Sequence, residues 1–244
     1  MLRTLLAPVR TVVMFTVVGL ATVALGTYVI VAARFRPQSA TITWCMRTWG
    51  NLWIWFGGLR PSLEGMDHID PAGSYMIVSN HLSGFDVALH IARLPVSVRF
   101  LAKKELFRIP LFGPAMRAIG IVETDRQAGT SAHRAINTQV ARVMDLQRSL
   151  IIYPEGTRSR DGELHAFKKG AFRIAIDNDL PVVPVAVWGT RKAWPPGSKL
   201  VRGGPATMVA HEPIPTADLG AGDIGDLRDR AHAVIAATLE RLRT

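Results

Sequence analysis

The sequence predicts an α/β fold: a mixed, partly parallel sheet flanked by helices, preceded by an N-terminal membrane-embedded helical hairpin. Three observations carry this. From Arg60 onward, short apolar runs alternate with helical patterns, the rhythm of strands joined by crossover helices. Thr11 to Ala33 is 23 residues long and carries no charge, with Arg3 and Arg10 before it and Arg34 and Arg36 after it. Thr41 to Leu59 then gathers Trp44, Trp49, Trp53, Trp55 and Phe56 around Arg47 and Asn51. Residues 1–59 are therefore read as membrane-associated helices and 60–244 as one α/β domain.

As a helix, Thr11–Ala33 would be about 34 Å long, enough to cross about 30 Å of hydrocarbon. Arginines flank both ends, so the positive-inside rule sets no orientation. The tryptophan-rich stretch suits a helix lying among headgroups, since indole is apolar in body and polar at its N–H. The same aromatics would also suit packing against the globular domain. Arg36-Pro37-Gln38 reads as the turn between the two helices.

In the α/β part, Tyr75–Ser79 is a short buried strand and Phe85–Leu94 a helix. Strands are expected at Val98–Leu101 and Ile121–Thr124. An amphipathic helix is expected at Ser131–Arg148, with Ile136, Val140, Val143 and Met144 on one face. Leu150–Tyr153 is another buried strand, Gly170–Ile176 a helix, and Pro181–Trp188 and Thr207–Ala210 further strands. A last helix starts near Asp223 and places Ile224, Leu227, Ala231, Val234, Ile235, Leu239 and Leu242 at helical spacing.

The bulk composition points to a surface rather than to nucleic acid. Hydrophobic content is 48% and the net charge is +10. High apolar content favours membrane contact, and a basic balance favours anionic headgroups or phosphorylated substrates. No basic tract interleaved with aromatics signals nucleic-acid binding. Cys45 is the one cysteine, so no intrachain disulfide framework exists and a reducing cytoplasmic setting fits.

In open α/β sheets, ligands gather outside the carboxyl ends of strands. Four polar groups follow predicted strands: His81 with Asp86, Lys103 with Lys104, Asp125 with Arg126, and Glu155 with Arg158. His81 in a strand-to-helix turn and Asp86 in the first helical turn can touch, one as base and the other as its orienter. Cations beside such a pair suit a phosphate-bearing molecule whose hydroxyl must lose a proton, with Arg as a bidentate fork and Lys as a point charge. His68, His90, His133, His165, His211 and His232 have no matching partner at this spacing and read as structural or surface residues.

Four blocks together resemble the glycerolipid acyltransferases of the 1-acyl-sn-glycerol-3-phosphate acyltransferase family. They are Asn80-His81-Leu82-Ser83-Gly84-Phe85-Asp86; Gly120–Arg126; Tyr153-Pro154-Glu155-Gly156-Thr157-Arg158-Ser159; and Val183-Pro184-Val185-Ala186-Val187. Ala102–Gly113 and Leu164–Phe172 are similar too, and the likeness spans about residues 60 to 200. One departure stands in the second block: Glu123 occupies a position, three before Arg126, that the family usually fills with an apolar residue. It bears on acceptor preference.

The resemblance implies a membrane-bound enzyme that moves a fatty acyl group from an acyl thioester to the sn-2 hydroxyl of 1-acyl-glycerol-3-phosphate. His81 would take the hydroxyl proton, and Asp86 would fix its tautomer and stabilise the imidazolium. Backbone N–H groups around the His81 turn would meet the oxyanion. Arg126 and Arg158 are the first choices for the acceptor phosphate, with Lys103 and Lys104 second; Glu155 would orient the acceptor or hold Arg158, in the loop that also carries Gly156 and Thr157. Ser83 reads as a turn residue.

No cofactor or metal is implied. The donor would be acyl-CoA or an acyl carrier protein, the acceptor a lysophospholipid, and the setting a lipid bilayer, here a bacterial-type inner membrane with the catalytic domain on the cytoplasmic side. Three other readings stay open at this point. They are the same chemistry on a lyso-ornithine lipid, another lysophospholipid or glycerol-3-phosphate; a hydrolase or metalloenzyme using His81 and Asp86 as ligands; and a non-catalytic membrane-binding protein.

Overall fold

The structure is a computed structural model, and it describes residues 6–37, 39–124 and 138–244. Helices α1 (Ala7–Phe35) and α2 (Ala40–Phe56) come first. The α/β part runs β1 (Leu59–Glu64), β2 (Met76–Ser79), α3 (Phe85–Arg93), β3 (Val98–Lys103), α4 (Phe112–Ile119) and β4 (Val122–Thr124). It continues with α5 (138–145), β5 (Ser149–Ile152), α6 (Gly170–Asp177), β6 (Val182–Trp188), α7 (Thr190–Ala193), β7 (Gly204–Ala210) and α8 (Ile224–Arg243).

Among the described residues seven strands form one sheet in the order β1-β7-β6-β2-β5-β3-β4. Every neighbouring pair is parallel except β6 with β7. The expected mixed, partly parallel sheet is therefore present. Its central strands are buried on both faces, which is why they read as unbroken apolar runs. Ile77, Ile151, Val183, Val185 and Val187 point to one face and join Met14 and Val18 of α1, Met46 and Ile54 of α2, and Phe85 and Leu89 of α3. Met76, Val78, Leu150, Val182 and Ala186 point to the other and meet Phe172 of α6 and Leu227 and Ile235 of α8.

Strand β1 had no sequence signal. Arg60, Pro61, Ser62 and Glu64 interrupt any apolar run, and a proline-containing strand belongs at a sheet edge, where β1 lies beside β7. The tryptophan-rich helix also ends earlier than expected, at Phe56, and Leu59 already belongs to the strand. Of the expected 131–148 helix, residues 131–137 lie outside the described residues; within the rest, Val140 and Val143 are buried as the pattern required. Gln38 of the expected turn likewise lies outside them.

The aromatics of α2 divide between the two expected roles. Trp49 and Trp53 pack on the core cluster, whereas Trp44 and Trp55 are more than half exposed, at 61% and 63%. Helix α1 lies along the flank of the domain and is tied to it at both ends. Near its start Arg10 donates to the Arg202 carbonyl and Thr11 Oγ1 accepts from Val201 N at 2.9 Å. Past its end Arg148 donates to the Pro37 carbonyl at 2.7 Å. In between, Trp49 Nε1 donates to Thr22 Oγ1 at 2.9 Å. Its outer face leaves Val9, Val12, Leu20, Val23, Val31 and Phe35 exposed.

Candidate active site

Strands β2 and β5 are parallel neighbours, so the turns leaving their carboxyl ends meet. The β2 turn carries His81 and the β5 turn carries Tyr153 to Arg158. Asn80 closes the exit from β2. Its amide donates to the Val187 carbonyl and accepts from Val187 N, both at 2.8 Å, extending the β2–β6 ladder by one side chain. The next residue, His81, therefore leaves at the carboxyl end of a central strand.

His81 Nδ1 lies 2.8 Å from Asp86 Oδ2. The carboxylate is fully buried while the imidazole keeps 16% of its side chain exposed. The same Asp86 oxygen accepts from the backbone N–H groups of Leu82 at 2.6 Å and Ser83 at 2.7 Å, and Oδ1 accepts from Thr190 Oγ1 at 2.6 Å. A buried carboxylate so supplied with donors is held in place and fixes the imidazole from one side. Nε2 is the ring nitrogen left for chemistry.

Glu155 makes no ion pair with Arg158 among the described residues and instead holds backbone. Its Oε1 accepts from the backbone N–H of His81 at 2.8 Å and its Oε2 from that of His165 at 3.1 Å. Burial pushes its carboxyl above the ordinary value, against those two N–H donors. From the same loop, Ser159 N donates to the His81 carbonyl at 2.8 Å. Both backbone polar groups of His81 are thus held by the block containing Glu155.

Most N–H groups of the His81 turn already have acceptors. The N–H of His81 goes to Glu155, those of Leu82 and Ser83 to Asp86, and that of Phe85 to Ser83 Oγ at 3.2 Å. Among the described residues the N–H of Gly84 alone in residues 81–86 takes no partner. Gly84 is fixed by packing, since a Cβ there would sit 2.7 Å from the Trp194 ring. Ser83 is a turn residue as expected, its hydroxyl donating to the Trp194 carbonyl at 2.8 Å.

A cavity of about 1330 Å³ opens at His81. Its polar lining includes His81, Lys103, Lys104, Glu105, Tyr153, Thr157, Arg158 and Lys168, with Gly84 and Gly156 beside them. Arg158 is exposed and makes no ion pair or side-chain hydrogen bond among the described residues. Gly156 has φ +80° and a Cβ there would press on Lys168 Nζ at 2.8 Å, so the turn needs glycine. Inward the walls are apolar: Leu25, Gly26 and Val29 of α1, Cys45 and Met46 of α2, Ala115 and Met116 of α4. Asp86 and Glu155 stand behind the cavity wall. Arg126 lies outside the described residues, and Glu123 is exposed on edge strand β4. No group of three or more His, Cys, Asp or Glu placed to hold a metal occurs among the described residues.

Several side chains stand in this site to which the sequence reading gave no role. Thr190 reaches Asp86 across 104 positions. Tyr153 lies flat under the His81 ring, with centroids 3.9 Å apart and planes 12° from parallel. His90, read as structural or surface, is fully buried and has partners: its Nδ1 is 2.5 Å from the Asp86 carbonyl and 3.2 Å from Tyr153 Oη. One turn of helix separates it from Asp86, and that i, i+4 spacing was the available clue.

A dyad at the mouth of a long apolar cavity, with cations around the opening, defines an enzyme that works on an amphiphile carrying negative charge. Comparison with known proteins makes this specific. The acyltransferase family model matches residues 60–188. The chain is 34% identical over 190 residues to the 1-acyl-sn-glycerol-3-phosphate acyltransferase of Limnanthes douglasii, across 78% of this chain and 67% of that one. It is 32% identical over 205 residues to the human 1-acyl-sn-glycerol-3-phosphate acyltransferase beta, across 84% and 72%. The crystal structure of the 1-acyl-sn-glycerophosphate (LPA) acyltransferase PlsC from Thermotoga maritima shares the fold, with a TM-score of 0.84 at 24% identity over 99% of this chain and 98% of that one. The chain belongs to the acyltransferase family, as its four sequence blocks implied.

Proposed function

We propose that this enzyme transfers a fatty acyl group from an acyl thioester to the sn-2 hydroxyl of 1-acyl-glycerol-3-phosphate, forming phosphatidic acid. The observation that carries the reading is the His81–Asp86 pair, 2.8 Å apart, at the mouth of an apolar cavity beside Arg158. His81 Nε2 takes the acceptor's hydroxyl proton as its oxygen attacks the thioester carbonyl. Asp86 holds Nδ1–H and stabilises the imidazolium. The oxyanion meets the Gly84 N–H, the donor that the turn leaves free. Collapse breaks the C–S bond, and the imidazolium returns its proton to the departing thiolate. General-base help of this kind is worth about 10²–10⁴-fold.

Arg158 binds the acceptor phosphate, with Arg126 as its partner from the second block and Lys103 and Lys104 as further cations at the mouth. Thr157 and Gly156 shape that loop. The apolar cavity takes an acyl chain, which fits either acyl-CoA or an acyl carrier protein as donor. The chemistry as read needs no cofactor.

Helix α1 is 29 residues long with mean hydropathy 2.1 in its most apolar window, which supports membrane association. A spanning helix would place its two ends on opposite sides of a bilayer, yet both ends of α1 are bonded to the same α/β domain. That supports a helix lying in the interface, with its exposed valines, Leu20 and Phe35 toward lipid and Trp44 and Trp55 at headgroup depth. The lone cysteine and the cytosolic origin of acyl thioesters support a catalytic domain on the cytoplasmic face of a bacterial-type inner membrane.

The test is turnover by purified protein in detergent, given labelled acyl thioester and a panel of lysolipids. Diacyl product should form with 1-acyl-glycerol-3-phosphate, without added metal, and His81→Ala should abolish it while leaving vesicle binding intact. Unchanged turnover in that variant would sink the mechanism. Product from an unphosphorylated lysolipid alone would remove the phosphate role of Arg126 and Arg158, and inhibition by a chelator would overturn the metal-free chemistry.

A further inference from the structure

A base must hold its reactive nitrogen in one direction. The hydrogen bond to Asp86 restrains the imidazole at Nδ1, and the ring can still rock within the slack of that one bond. Its face meets a second restraint. The Tyr153 ring lies against the His81 ring at 3.9 Å and 12°, a full-face stack. Tyr153 is the first residue after β5, and His81 is the second after β2, so the stack is built between the ends of two hydrogen-bonded parallel strands.

Tyr153 is itself held. Its hydroxyl oxygen lies 3.2 Å from Nδ1 of His90, which lies 2.5 Å from the Asp86 carbonyl. A carbonyl only accepts, so His90 carries its proton on Nδ1 and shares it between the carbonyl and the phenol oxygen. Its Nε2 is then the unprotonated nitrogen, and that atom is buried without a partner. The four side chains form a closed ring of contacts: Asp86 to His81 through the carboxylate, His81 to Tyr153 by stacking, Tyr153 to His90, and His90 back to the backbone of Asp86.

Burial keeps two members of this ring, His90 and Tyr153, uncharged. Burial drives His90 down to about 4 and drives the Tyr153 phenol well above its ordinary value, the Asp86 charge adding to the latter. Neither competes with His81 for the acceptor's proton. When His81 takes that proton, the face of the phenol ring lies against the new cation, an attractive arrangement.

We infer that Tyr153 is a positioning residue for the reaction, its ring fixing the plane of the His81 imidazole and its hydroxyl being anchored by His90. The inference rests on His81 being the base. Loss of the ring should be felt in turnover rather than in binding, because a reacting group displaced by about 1 Å costs on the order of 10²-fold in rate.

The experiment measures kcat and KM for both substrates in Tyr153→Leu, Tyr153→Phe and His81→Ala, with circular dichroism and a melting curve for each. Y153L should lose at least about tenfold in kcat, with KM for donor and acceptor changed by less than about threefold. Y153F, which keeps the ring and loses only the hydroxyl, should recover most of that loss. Tyr153→Met, of similar bulk and no ring, takes the place of Y153L should the latter fail to fold. Wild-type kcat in the ringless variant would overturn the inference, as would a Y153F loss as deep as that of Y153L or an effect on KM alone. His81→Ala separates the two levels. If it still turns over, the base assignment itself fails; if it is dead while Y153L is fully active, only the positioning role fails.

Discussion

Thr190 Oγ1 donates a 2.6 Å hydrogen bond to Asp86 Oδ1, joining the residue after β6's exit turn to the first turn of α3. Both residues are fully buried. Oδ2 of the same carboxylate is shared by His81 and two backbone N–H groups, so Thr190 is the donor that saturates the other oxygen. Thr190→Val removes that donor with little change of shape. A buried hydrogen bond to a charged group is worth about 1.5–3 kcal/mol, and the variant should lose stability of that order in chemical denaturation. Its kcat should fall as well, because the carboxylate that orients His81 is freed to turn. Thr190→Ser should restore both.

That contact shows where reading from sequence stops. The strands were legible because their runs are apolar on both faces, and the helices because Ile224, Leu227, Ala231 and Ile235 recur at helical spacing. His81 and Asp86 were legible because five residues in one turn bring them together. Thr190 and Tyr153 reach the same site from other strands, and no local spacing records which strands are neighbours. Strand β1 was invisible for another reason: at a sheet edge it needs no apolar alternation. Glu155 was visible as a charge after a strand, but a carboxylate that serves two backbone N–H groups looks, in sequence, like one that serves a substrate.

Glu155 is the second place where geometry sets an expectation. One carboxylate oxygen faces the N–H of His81 and the other the N–H of His165. In Glu155→Gln the amide offers one acceptor and one donor, so its NH2 must face one of the two N–H groups. Leaving a partly buried donor unpaired costs up to about 1–3 kcal/mol. The His81 turn should shift, and kcat should fall with little change in KM for either substrate, since Glu155 does not line the cavity. A rise confined to acceptor KM would instead place Glu155 at the acceptor.

His90 makes the stability depend on pH in a defined direction. Folded, it stays neutral down to about 4 because burial penalises the cation, while unfolded it titrates near 6.5. Between those values the unfolded chain binds the extra proton, so acidification favours unfolding across that interval, and the loss levels off below it. The gap converts to about 3 kcal/mol at 1.36 kcal/mol per pH unit. Other groups titrate there too, so the comparison is with His90→Asn, whose side-chain amide can replace the Nδ1–H donor. Unfolding free energies from pH 7 to pH 4 should fall more steeply in the wild type than in H90N. Parallel curves would show that His90 is not held neutral.

Gly26 offers a way to read the apolar cavity. It lies mid-helix in α1 and lines the cavity, where an added Cβ would meet Ala115 Cβ at 3.6 Å and Leu111 Cγ at 3.9 Å, both ordinary contacts. The backbone therefore tolerates a side chain, and replacing a helical glycine gains about 0.5–1 kcal/mol. Gly26→Leu should fold at least as well as the wild type and fill part of the space opposite Ala115. With a series of acyl thioesters, kcat/KM for the longest chains should drop by about tenfold or more relative to short ones, since one misfitting methylene in an apolar pocket is worth about 1–3 kcal/mol. The acceptor's KM should hold, because the mouth residues are untouched. An equal loss at every chain length would mean that the acyl chain does not run between α1 and α4.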